Sequence, residues 1–208
     1  MKRKYTSKEL IAFEAEVARR FELGEINCPV HLSGGNELAI IAIFEQIKDE
    51  DWVFSTHRNH YHYLLKGGDP KGLMDELLGL PTGVCGGVGR SMHITDSKIN
   101  FYTSAIIGGT AGIASGVALA LKKKKSTAEV WCFVGDGTED HGHYVEALRF
   151  SYCRGLPVMF VVEDNQIAVE STPQERWGTP NPLEAKNVIR YSYKRVYPHV
   201  GTGNWVSM

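Results

Sequence analysis

The sequence predicts an α/β protein built in three layers, a mostly parallel sheet with helices on both faces. Three observations predict it. The stretch 130–165 runs strand, turn, helix, strand, one βαβ unit on the scale of about 30 residues. Upstream, helical periodicity at about 6–23, 36–48 and 110–124 alternates with a short strand-like run at 52–56. The 208 residues are 43% hydrophobic and 23% charged, which suits one such domain and is short for two. The chain is therefore expected to be a single domain over 1–208, with 1–27 a helical extension and 173–208 an irregular tail.

Each element has a local reason. Thr6 stands three residues before Glu9, the spacing of a capping box. Leu10, Phe13, Val17, Ala18 and Phe21 then recur at helical spacing, and Gly24 marks a stop. The helix from Asn36 to about Lys48 carries Leu38, Ile40, Ile41, Ile43 and Phe44, apolar nearly all round, so burial is expected. Trp52 to Thr56 reads as a short strand, and the histidine-rich run 57–62 follows at its C-terminal end. Asp69-Pro70 opens a helix to about Leu78, Asp as N-cap and Pro in the first turn. Residues 79–100 are loop-rich, and loops of that length are usually functional or mobile. The helix from Thr110 holds Gly112, Ala114, Ser115, Gly116, Ala118 and Ala120, small enough for another backbone to approach. Beyond Asn165 the sequence suggests a short strand at 166–171, a Pro-rich stretch and a helix near 183–189.

Composition excludes some functions. Lys plus Arg is 23 and Asp plus Glu is 24, a net charge of −1, so no bulk attraction to nucleic acid or an anionic membrane is expected. No apolar run approaches a membrane span. Cys28, Cys85, Cys132 and Cys153 form no Cys-x-x-Cys pair, which predicts buried free thiols in a reducing cytoplasm. His57, His60 and His62 are clustered, but no Cys or acidic residue is placed to complete a tetrahedral zinc site.

The chemistry concentrates at Gly135-Asp136-Gly137, at the end of the first strand of the βαβ unit. Parallel strands deliver their C-terminal ends to one edge, so Asn165, at the end of the second strand, should arrive beside Asp136. Glycines allow close backbone approach, and a helix expected from about Glu139 offers free N–H groups to a phosphate. A carboxylate beside a phosphate requires a cation between them, and Mg²⁺ with protein and phosphate oxygens meets that need. The carbonyl of Ile167 could supply a further oxygen. Rival motifs fail on spacing. Asp140 stands where a dinucleotide fingerprint needs its last Gly, and Gly89-Arg90-Ser91 has Arg where a P-loop needs Lys.

Gly-Asp-Gly followed by Asn after one βαβ unit resembles the thiamine-diphosphate motif. The chain is similar, over about 30–172, to the α subunit of the E1 component of 2-oxo acid dehydrogenases of the pyruvate and acetoin type. The matching segments are Val30-His31-Leu32 with Glu37, Thr56 to His60, Gly89 to His93, and Ile106-Ile107-Gly108 leading into Gly116 to Ala120. The resemblance implies a diphosphate-binding domain with Asp136, Asn165 and the Ile167 carbonyl as Mg²⁺ ligands. It implies Gly137, Thr138 and Ala168 as backbone contacts near the diphosphate and Arg58 as its arginine, with His57 where the family usually has Tyr. It further implies that the Ala105 carbonyl accepts the cofactor's amino group, that Ile107 is the apolar wedge bending the cofactor, and that His31 is an active-site histidine. His93 is a second catalytic candidate near the site.

The resemblance also implies a partner. The carboxylic acid that protonates the aminopyrimidine is expected from a β-type subunit carrying the pyrimidine-binding domain, in an α2β2 heterotetramer. The implied activity is decarboxylation of a 2-oxo acid with acyl transfer. The alternatives are a split transketolase-like or acyloin-forming carboligase acting on a ketose or ketone, and a non-catalytic assembly subunit. Family α subunits continue with a loop bearing another catalytically important histidine. No counterpart is read before Met208, so a fragment or a shortened branch is expected.

Overall fold

The structure is a computed structural model that describes residues 5–178 and 185–204. Helices α1 (Ser7–Glu22) and α2 (Glu37–Phe44) precede strand β1 (Trp52–Ser55). Helices α3 (His60–Lys66) and α4 (Pro70–Leu77) lead to β2 (Thr95–Asp96) and β3 (Phe101–Thr103). Helix α5 (Gly109–Lys123), β4 (Val130–Gly135), α6 (Gly142–Cys153) and β5 (Val158–Asp164) follow, then α7 (Pro173–Trp177) and β6 (Val188–Ser192). The sheet order is β2-β3-β1-β4-β5-β6. Only the β2–β3 pairing is antiparallel; the others are parallel.

Strand side chains alternate between faces, and the two faces build two cores. Val53, Trp131, Phe133 and Val161 pack with Leu10, Val17, Ile40, Tyr63, Leu64 and Leu73 from α1–α4. Phe54, Cys132, Val134, Phe160 and Val162 pack with Ala111, Ala114, Tyr144 and Leu148 from α5 and α6. Register keeps these sets together: Cys132 pairs with Phe160 and Val134 with Val162 on one face, while Phe133 pairs with Val161 on the other. Each fully buried side chain of this kind contributes about 1.5–3 kcal/mol. This is the expected three-layer α/β fold.

The capping box on α1 forms as the spacing predicts: Thr6 Oγ1 accepts from the Glu9 N–H, and Glu9 Oε2 accepts from the Thr6 N–H. Yet α1 is no mere extension. Its buried Glu14 accepts from the Ser33 N–H at 3.1 Å and contacts His60 Nδ1 at 3.1 Å, tying the helix to two other segments.

Several expectations need correction. Helix α2 ends at Phe44, short of Lys48, and is not buried all round, since Leu38 is 80% exposed. The histidine-rich run leads into α3, whose seven residues are all buried. It therefore lacks the polar face that would have announced it. Two further strands, β2 and β3, sit at the end of the loop-rich stretch. The turn after Gly135 is a 3₁₀ helix over Asp136–Asp140, and α6 begins only at Gly142. The expected strand at 166–171 reduces to one bridge, Ala168 with Ser171. Among the described residues of the tail, 188–192 is an edge strand paired to β5, where a helix over 183–189 was expected. Positions 183 and 184 of that helix lie outside the described residues. All four cysteines are free, but only Cys132 is buried and Cys153 is exposed. Helix α5 meets α6 through Ser115 Oγ and Ser151 Oγ at 2.8 Å, while a Cβ on Gly112 or Gly116 would meet nothing within 4 Å.

Candidate active site

Five parallel strands end at one edge. Just beyond β1, β3, β4, β5 and β6, residues 56–58, Ser104, 106–108, 136–138, Asn165, 167–169 and Tyr193 line a cavity of about 270 Å³. His199 closes it from the segment after β6. That edge is where open α/β sheets bind ligands.

Asp136 is buried there. Its Oδ2 has no hydrogen-bond partner among the described residues. Burial raises its carboxyl pKa, and Asp164 adds to the rise; Arg176 and the Asn165 backbone N–H pull the other way. Arg176 Nη2 stands 3.6 Å from Asp136 Oδ2, and its Nε is 2.6 Å from Asp140 Oδ2. An acceptor buried without a donor costs about 1–3 kcal/mol, and a cation relieves it. Beside it, a Cβ on Gly137 would come 2.5 Å from the Ala168 Cβ, so a side chain at 137 has no room and Gly137 lines the cavity with its backbone. The donor set is oxygen: a carboxylate and the Asn165 side chain. It suits a hard divalent ion such as Mg²⁺.

A buried polar network braces the strand ends behind the cavity. His62 Nδ1 is 2.5 Å from Ser55 Oγ, and its Nε2 is 3.2 Å from Glu163 Oε1. Asn36 Nδ2 donates to Glu163 Oε1 at 3.3 Å, and the Tyr191 hydroxyl donates to the same oxygen. Burial raises the Glu163 carboxyl pKa, but His62, Tyr191 and Arg58 outweigh it, so the net direction is downward. His60 contacts Glu14 and Ser91 Oγ. Two histidines of the 57–62 run are thus committed to the framework, and only His57 turns to the cavity.

The pattern that defines the dehydrogenase E1 component family matches residues 5–187. The chain belongs to the dehydrogenase E1 component family. The alpha subunit of the acetoin:2,6-dichlorophenolindophenol oxidoreductase of Bacillus subtilis (strain 168) is 39% identical over 168 residues, 80% of this chain and 50% of that protein. That of Cupriavidus necator matches over the same extent at 39%. The pyruvate dehydrogenase E1 component subunit alpha of Rickettsia bellii is 34% identical over 158 residues, 76% of this chain and 48% of that protein. The chain spans about half the length of the curated relatives it matches.

In this E1 chain the residues singled out by sequence separate into two groups. Arg58, Ile107, Asp136, Gly137, Thr138, Asn165, Ile167 and Ala168 all line the cavity. Arg58 is buried, and its Nη1 donates to the Leu32 carbonyl. The Ile107 carbonyl lies 3.2 Å from His143 Nε2. Ala105 sits between lining residues Ser104 and Ile106 without lining the cavity itself. His31 is buried behind the wall, its ring against His57 and His199. His93 lies apart from them: it is exposed in the loop before β2 and does not line the cavity. Its carbonyl faces the Cys85 thiol instead. Sequence reasoning missed Glu163, Arg176, Tyr193 and His199. Arg176 had a signal, because Thr172-Pro173 with Glu175 is a capping box that starts a helix. His199 had none.

Proposed function

We propose that this chain is the diphosphate-binding, α-type subunit of a thiamine-diphosphate enzyme that decarboxylates a 2-oxo acid or cleaves a ketone such as acetoin, with transfer of the acyl group. The observation that carries the reading is the buried Asp136 carboxylate, whose Oδ2 has no hydrogen-bond partner among the described residues and only the Arg176 guanidinium at 3.6 Å, beside Asn165 and the backbone of Gly137. Asp136, Asn165 and the Ile167 carbonyl would hold Mg²⁺. Gly137, Thr138 and Ala168 would meet the diphosphate with backbone groups, and Arg58 would add a charge-assisted contact. Thiamine diphosphate supplies the carbon acid that stabilises the acyl carbanion. The chain's own part is binding and positioning. Ile106 and Ile107 form an apolar lip that would orient the cofactor and exclude water, and the Ala105 carbonyl would accept from its amino group.

A β-type partner completes this reading and would supply the glutamate that protonates the aminopyrimidine, in an α2β2 assembly. Exposed apolar groups near the cavity support it: Ile106 is 68% exposed and Ile113 59%, and the α5 face holding Gly112 and Gly116 is open. Buried interface cores favour such patches. Four free thiols agree with a reducing cytoplasm. No helix among the described residues is long and apolar enough to cross a membrane.

Calorimetry with thiamine diphosphate tests the proposal. Binding that requires Mg²⁺, tightens with the partner subunit and is lost in Asp136→Ala is expected. Binding that is indifferent to Mg²⁺ and to Asp136→Ala would refute it.

A further inference from the structure

Three histidines from distant parts of the chain converge at the cavity wall. His31 comes from the loop before α2, His57 from the end of β1, and His199 from the segment after β6. Their ring centroids lie 4.5, 5.1 and 5.6 Å apart, all edge to face. One ring nitrogen from each can be chosen so that all three lie within 4.8 Å of one another. We propose that His31, His57 and His199 form a second metal site, for a divalent transition ion of the zinc class, with an open coordination position facing the cavity.

The chemistry of the donors argues for that class. Imidazole nitrogen suits Zn²⁺, Co²⁺ and Ni²⁺, whereas Mg²⁺ takes oxygen. The site therefore does not compete with Asp136 for the same ion. A metal binds the neutral imidazole. His31 is 92% buried by its 8% exposure, and its Nδ1 has no hydrogen-bond partner among the described residues. A lone pair left so is stabilised by a Lewis acid.

Geometry sets what must move. Zinc–nitrogen bonds of about 2.0–2.1 Å bring ligand nitrogens to about 3.3 Å apart. The half-buried His57 and His199 would have to turn toward His31, which is more buried and would be the anchor. Three protein ligands leave a fourth position, as in catalytic zinc sites. Since His57 and His199 line the cavity, that position would accept a carbonyl, hydroxyl or carboxylate oxygen of a molecule bound there. The Arg58 guanidinium nearby opposes a cation, and an anionic oxygen ligand would offset it.

The test uses the untagged full chain in saturating Mg²⁺ without thiamine diphosphate, so its outcome does not depend on the function proposed above. Co²⁺ is titrated and read by its visible absorption, then displaced with Zn²⁺. One equivalent of Co²⁺, displaced by one of Zn²⁺, is expected. His57→Gln and His199→Gln should each weaken binding by about 10- to 100-fold or more, with near-UV circular dichroism unchanged. Asp136→Ala should leave the Co²⁺ spectrum as it is. The proposal is overturned if the wild-type chain shows no such spectrum, if both histidine variants keep it, or if Asp136→Ala abolishes it.

Discussion

Gly137 and Ala168 press against each other across the cavity floor: a Cβ on Gly137 would lie 2.5 Å from the Ala168 Cβ, with the Ala168 Cα next at 3.6 Å. Removing the one methyl group would leave only ordinary contacts. Overpacking of this kind costs about 1–3 kcal/mol. Gly137→Ala should therefore weaken Mg²⁺-dependent thiamine diphosphate binding by about 10- to 100-fold, at 1.4 kcal/mol per decade. The double variant Gly137→Ala/Ala168→Gly should recover most of it. Calorimetry on the two variants decides, and a double variant no better than the single would show that the contact is not the cause.

Glu163 gathers His62, Asn36 and Tyr191 on one oxygen. Removing its carboxylate takes an acceptor from partners contributed by β6, α3 and the residue before α2, and leaves buried His62 Nε2 and the Tyr191 hydroxyl without theirs. Glu163→Ala should lower unfolding free energy by about 3–5 kcal/mol, the usual penalty for breaking a buried pair from one side. Glu163→Gln keeps an acceptor and the shape, so its loss should be smaller. Urea unfolding of both separates the outcomes; equal losses would mean that packing and not hydrogen bonding carries the effect.

A second buried carboxylate shapes the loop before β2. Glu76 on α4 accepts backbone N–H groups from Cys85 at 2.6 Å, Gly87 at 2.9 Å and Arg90 at 3.0 Å. Arg90 sits at φ 54°, a left-handed conformation that needs such support. Glu76→Ala should speed hydrogen exchange of those three amides by at least about tenfold, if each lost bond is worth about 1.5 kcal/mol. Amides of β4 and β5 should hold their protection. Unchanged exchange at 85, 87 and 90 would remove the carboxylate from its assigned role.

How far the sequence foretold this follows from physical range. Asp136 and Asn165 were legible because a βαβ unit is local: strand, helix and strand fix where both ends arrive. The capping boxes and the Asp69-Pro70 start were legible for the same reason. Strand β6 was not, since Val188 to Ser192 is short, half-buried and defined by its pairing with β5. Helix α3 hid because it has no polar face. The histidines show the limit best. His57, His60 and His62 sit together in sequence but part in space, while His31, His57 and His199 meet only through the tertiary fold.

That meeting carries a pH dependence with a definite sign. In metal-free protein, held so with a chelator, His31 is down to about 3 and His57 to about 4 from an ordinary 6.5, and His199 is lowered too. Below pH 6.5 the unfolded chain takes up protons at these positions that the folded chain refuses. Stability therefore falls as pH drops from about 6.5 toward the folded values, and rises with pH across that window. Each fully responsive group contributes a limiting slope of about 1.4 kcal/mol per pH unit. His57 and His199 give less, because solvent screens them. Urea midpoints at pH 7.5, 6.5 and 5.5 should decline on the acid side. His57→Gln removes one proton-accepting site from the unfolded chain and should flatten that decline while changing little at pH 7.5. A variant whose midpoints run parallel to wild type would show that His57 is not among the groups that set the acid limit.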